Sequence, residues 1–66
     1  MSVAKVIEIT AQSPESFEAA VNKGIERSSE TVENIKGVWV KELKADVENG
    51  KVTMYRVDLK VTFILK

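Results

Sequence analysis

Cysteine and histidine are both missing from this chain of 66 residues. The first absence excludes disulfides and thiolate metal sites. The second removes the commonest general base and the commonest metal ligand. Charge of one sign is missing too: ten basic residues balance ten acidic ones, so there is no electrostatic footprint for nucleic acid. Glycine occurs only at 24, 37 and 50, far apart, which leaves no phosphate-cradling glycine loop. No apolar stretch approaches the ~20 residues of a spanning helix. The start, Met1-Ser2-Val3-Ala4-Lys5, lacks a basic segment followed by an apolar run, so no signal peptide is expected and a cytoplasmic location is the default. Ser28, Ser29 and Thr31 have no His or Cys to activate them, and an enzyme is not expected. So short a chain is one domain, residues 1–66, with a small core; association with further copies is the natural source of extra stability.

What is present is regular. Val3 to Ala11 is rich in β-branched and apolar residues and reads as a strand. Ser13-Pro14-Glu15 suits a helix start, with Ser13 as cap, Pro14 in the first turn and Glu15 complementing the helix dipole. Phe17, Val21, Gly24, Ile25, Ser28, Val32 and Ile35 recur at three- and four-residue spacing and predict a helix over roughly 14–34. Gly24 and Ser28 on that stripe imply close approach to a sheet, and Glu18, Lys23, Glu26, Arg27, Glu30 and Glu33 form a solvated face. Asn34 and Lys36 read as C-terminal capping chemistry.

Asn49-Gly50 between two alternating segments is a hairpin signal, because both residues tolerate the positive φ of a type I′ turn. A two-residue loop predicts the pairs Val47–Val52, Leu43–Arg56, Lys41–Asp58, Val40–Leu59 and Trp39–Lys60, whereas a bulged turn would slip this register by one. In the last strand Tyr55, Val57, Leu59, Val61, Phe63 and Leu65 alternate with Met54, Arg56, Asp58, Lys60, Thr62 and Ile64. The first set belongs to the core with Val38 and Val40; the second shares its face with Trp39, Lys41, Leu43 and Ala45. The fold class is therefore α+β: β-α-β-β, a three-stranded antiparallel sheet of order 1-3-2 with one helix on one face. A right-handed crossover makes the first two strands parallel to each other, each antiparallel to the third.

On the face away from the helix, Trp39 can stack a flat ligand or pack in an interface. Arg56 can bind a phosphate or ring carbonyl, or pair with Asp58 or an acid of a neighbouring subunit. Lys41 and Asp58 are expected to form a cross-strand ion pair. Glu42, Asp46 and Glu48 lie on one strand, a set too linear to predict a metal site, and no metal is expected.

Lys5-Val6-Ile7-Glu8-Ile9, Ser13-Pro14-Glu15-Ser16-Phe17-Glu18-Ala19-Ala20, Thr31-Val32-Glu33-Asn34-Ile35 and Tyr55-Arg56-Val57-Asp58-Leu59-Lys60-Val61-Thr62-Phe63 together resemble the dodecin family. That resemblance implies the same β-α-β-β fold, a hollow homododecamer with helices outside, and flavin binding without catalysis, two rings being stacked between tryptophans near twofold axes. Two departures stand out. The stacking tryptophan of flavin binders aligns with Gly37, while Trp39 lies two residues on, about 6.6 Å along the same strand face. The ring-binding glutamine aligns with Arg56, which offers donors only. Lys44 aligns with a phosphate-contacting arginine of some members, and Ile64 with a second that is absent. Two readings follow. One is a flavin storage protein for FMN, riboflavin or FAD, using Trp39, Arg56, Lys44 and Gly37. The other is a dodecin-like shell that does not bind flavin and serves as a scaffold or takes another small ligand or ion.

Overall fold

The computed structural model describes residues 2–66. Strand β1 (Val3–Ser13) leads into helix α1 (Phe17–Ser28), followed by the long strands β2 (Ile35–Glu48) and β3 (Lys51–Leu65). The sheet order is β1-β3-β2 and both pairings with β3 are antiparallel, as the hairpin signal and the crossover rule require.

The hairpin turns at Asn49 and Gly50, with φ of 52° and 76°, and Glu48 faces Lys51 across it. Trp39–Lys60, Val40–Leu59 and Val47–Val52 pair as expected. Between them the register slips by one: Leu43 faces Val57, Lys44 faces Arg56 and Glu42 faces Asp58. The predicted pairs Leu43–Arg56 and Lys41–Asp58 do not form. The cause is a bulge that leaves Lys41 unpaired in β2, undone near the turn where Thr53 is unpaired in β3. An extra residue reverses the alternation of side chains. Leu43 and Ala45 therefore lie on the helix side with Val38 and Val40, not beside Trp39, and Lys44 and Glu42 join the Trp39 side.

The helix is shorter than its periodicity suggests. Ser13 stays in β1, paired with Tyr55, and its Oγ accepts from the Glu15 N–H at 3.0 Å. The cap is Ser16 instead, whose Oγ accepts from the Ala19 N–H at 2.9 Å. At the other end Ser29 closes the helix, and the Val32 N–H folds back to the Ser28 carbonyl at 2.9 Å. Ser, Thr and Val here are weak helix formers. Asn34, at φ 63°, turns the chain into β2, and its carbonyl accepts from the Ile64 N–H at 3.1 Å. Val32 and Ile35 thus leave the helical stripe, and Asn34 acts as a left-handed turn residue.

Val57, Leu59 and Val61 of β3 and Ala20 of α1 are buried, with Ile7, Ile9, Phe17, Val21, Ile25 and Ile35 packed around them. Gly24 allows the approach of helix to sheet: a Cβ there would stand 3.0 Å from both the Ala11 Cβ and the Leu59 Cδ1. A helix of 12 residues is about 18 Å long, whereas the molecule extends over 52 Å. It packs on β1 and β3 and leaves most of β2 bare.

Candidate functional site

The face opposite α1 is a ladder of three-residue rows, one residue from each strand. From the β3 C-terminal end the rows run Gly37–Thr62–Val6, Trp39–Lys60–Glu8, Glu42–Asp58–Thr10 and Lys44–Arg56–Gln12. The four residues expected to form one site fall into two pairs. Gly37 and Trp39 occupy one end, Lys44 and Arg56 the other. Lys60 and Arg56 are four residues apart on β3, so these groups are about 13 Å distant along the strand.

At the first end Trp39 is 62% exposed. The Lys60 ammonium stands 5.2 Å from its ring centroid, a cation–π arrangement that covers one face of the indole. Nothing lies within 4 Å of where a Gly37 Cβ would be, so the neighbouring surface is open. The bulged Lys41 reaches Glu8 at 3.6 Å, not Asp58.

At the second end Arg56 is held through all three of its guanidinium nitrogens. Its Nη2 donates to Asp46 Oδ2 at 2.8 Å, Nε donates to the same carboxylate at 3.3 and 3.4 Å, and Nη1 donates to Gln12 Oε1 at 2.7 Å. This is a bidentate pair, the strong form of such contacts. Hydrogen bonding to Arg56 holds the Asp46 carboxyl below its usual range, and the same contact raises Arg56. The expected alternative partner, Asp58, is not used. Asp46, Gln12 and Lys60 were missed as site residues; the first two become neighbours of Arg56 only through strand pairing across the sheet.

Between the two ends Glu42 directly faces Asp58. Neither carboxylate forms an ion pair among the described residues, whereas Glu8 and Asp46 on the same face each have a cation. Like charges directly opposite on a sheet repel. Thr10 completes the row from β1. Among the described residues no cluster of three or more carboxylates is placed to hold a metal, and no helix is long and apolar enough to cross a membrane.

A β-α-β-β sheet of order 1-3-2 with one helix on one face is the architecture of the family the sequence resembles. The family model Dodecin matches residues 3–66, and the chain belongs to the dodecin family. It is 39% identical over 67 residues to the "Calcium dodecin" of Mycobacterium tuberculosis (strain ATCC 25618 / H37Rv), covering 100% of this chain and 93% of that protein. A crystal structure of a T. thermophilus dodecin mutant matches with a TM-score of 0.95 at 30% identity, covering 100% of this chain and 98% of the other. The crystal structure of the calcium chelating immunodominant antigen, calcium dodecin, from Mycobacterium tuberculosis, described as having a novel calcium-binding site, matches with a TM-score of 0.83 at 36% identity over 98% and 93% of the two chains.

Proposed function

We propose that this chain is a non-catalytic, self-assembling dodecin, a homododecamer as the resemblance implies, whose ligand is a divalent cation of the calcium type. The observation that carries this reading is the facing pair Glu42 and Asp58, two carboxylates directly opposite each other with no ion-pair partner among the described residues, whereas Glu8 and Asp46 on the same face each have a cation. Calcium takes six to eight oxygen ligands at roughly 2.3–2.6 Å. Two carboxylates and the Thr10 hydroxyl supply at most five, so water or a neighbouring copy completes the shell. The 39% identity to a calcium dodecin supports the same ligand. Calorimetric titration with calcium tests it: saturable binding in the wild-type protein, abolished in Glu42→Gln and Asp58→Asn, is expected. Undiminished binding in both variants would remove this pair from the site.

A second reading keeps flavin. It is favoured by the exposure of Trp39 and the open surface at Gly37, which together leave one face of the indole free for a ring. Lys60 over the other face and the engagement of Arg56 by Asp46 and Gln12 oppose it, because both groups must be displaced before a ring is sandwiched or held. In this reading Lys44, directly opposite Arg56 and without an ion-pair partner among the described residues, supplies a cation for a flavin phosphate. Titration of riboflavin, FMN and FAD fluorescence separates the two: saturable quenching that disappears in Trp39→Ala supports stacking, and no quenching by any of the three excludes it.

A further inference from the structure

The tip of the β2–β3 hairpin carries chemistry that neither ligand reading uses. Asn49 and Gly50 form the whole loop, and Glu48 faces Lys51 directly across it. Both loop residues hold the positive φ of a type I′ turn, 52° and 76°. A bond between the Asn49 side-chain Cγ and the Gly50 backbone nitrogen would close a five-membered ring. A side chain on the second residue obstructs that closure, and Gly50 has none. Nothing lies within 4 Å of where a Gly50 Cβ would be.

The surroundings set this asparagine apart from the others. Asn22 sits inside α1, where the helix fixes its backbone, and Lys23 follows it. Asn34 precedes the branched Ile35, and its carbonyl is held by the Ile64 N–H at 3.1 Å. The tip is different: every residue from 47 to 53 is exposed. The helix packs on β1 and β3, away from this arm. Among the described residues neither the Asn49 side chain nor the Gly50 N–H has a hydrogen-bond partner. The last rungs of an uncovered hairpin open at little cost, and that opening gives Asn49 the ψ rotation that ring closure needs.

We propose that Asn49 is a self-modification site, with water as the only co-reactant. The Gly50 nitrogen, having lost its proton to base, attacks Asn49 Cγ; the new C–N bond forms as the Cγ–NH2 bond breaks, and ammonia leaves with a proton. Water then opens the cyclic imide at one of its two carbonyls. Opening at Cγ gives aspartate with the main chain intact. Opening at the main-chain carbonyl gives isoaspartate, whose chain runs through Cβ to Gly50. The first product suits the loop, since Asp-Gly also favours a type I′ turn. The second adds a carbon to a loop of two residues and undoes the closing pair Glu48–Lys51. The tip therefore carries a slow, one-way change that accumulates with the age of the protein and unfastens the end of the hairpin.

The test ages the full-length protein in mildly alkaline buffer and digests it briefly with trypsin under mildly acidic conditions. Cleavage after Lys44 and Lys51 releases the segment 45–51 for mass spectrometry. The expected result is a mass gain equal to the exchange of NH2 for OH, confined to that segment, with isoaspartate the major form. Asn49→Gly, which keeps a turn-compatible Gly-Gly pair, is expected to show no gain. Equal gain in the segments holding Asn22 or Asn34 would overturn the assignment. So would an unchanged segment from the aged protein when the isolated peptide gains mass under the same conditions. As a second readout, aged wild type is expected to show a lower denaturation midpoint than fresh protein, whereas aged Asn49→Gly is not. Equal midpoints for fresh and fully modified wild type would overturn the claim that the change unfastens the hairpin.

Discussion

Arg56 and Asp46 meet at 2.8 Å across the hairpin, and Gln12 holds the other arm of the same guanidinium from β1. Three strands are thus tied at one point, through a guanidinium whose three nitrogens all have partners. Both partners are about half exposed, which limits the contribution of the pair to stability.

The pH dependence of this contact has a definite sign. Asp46 has its folded pKa held below the ordinary carboxylate value of about 3.9. Its contribution is therefore complete above that value and is lost as pH falls through the lower, folded pKa. Asp46→Asn is expected to flatten the acid limb of a stability–pH profile measured by denaturant unfolding. A variant whose acid limb matches the wild type would contradict the assignment.

Gly24 is a packing requirement. Gly24→Ala gains about 1 kcal/mol of helix propensity but sets a methyl 3.0 Å from the Ala11 Cβ, which the sheet backbone fixes. The expected outcome is net destabilisation of roughly 1–2 kcal/mol, read as a lowered denaturation midpoint. In the Ala11→Gly background the same change is expected to cost less, so a double-mutant cycle reports coupling between the two sites. Strict additivity would place the cause elsewhere.

Lys41 is the extra residue of β2. Deleting it leaves Glu42 opposite Asp58 and Leu43 opposite Val57 in an unbroken alternation, with Leu43, Ala45 and Val47 still on the helix side. Deleting Lys44 instead keeps the bulge and throws Ala45 and Val47 onto the Trp39 face. The first deletion is expected to keep a near-wild-type denaturation midpoint and the second to lower it; equal midpoints would show that the phase of β2 is dispensable.

Much of this was legible beforehand. Alternation in β3, the Asn49-Gly50 turn and the single amphipathic helix define the order 1-3-2. The bulge was also written in the sequence: apolar residues fall at 38 and 40, then at 43, 45 and 47, a skipped beat that marks one extra residue. Reading the hairpin as one unbroken ladder hid it, and so misplaced Leu43 and Ala45 and paired Lys41 with Asp58. The helix ends were missed for a different reason. Ser13 and Ser16 are both good caps, and the choice fell to tertiary pairing of Ser13 with Tyr55. The partners of Arg56 were not legible locally, since Gln12 is 44 residues away in sequence.

The central claim, a cation held between Glu42 and Asp58, is tested most directly by terbium luminescence. Terbium substitutes for calcium at oxygen sites, and Trp39, the single indole, lies on the same face in the adjacent row. Excitation of Trp39 is expected to give saturable terbium emission that calcium displaces and that vanishes in Glu42→Gln/Asp58→Asn. Absence of sensitised emission from the wild-type assembly, or emission unchanged in that double variant, would contradict the claim.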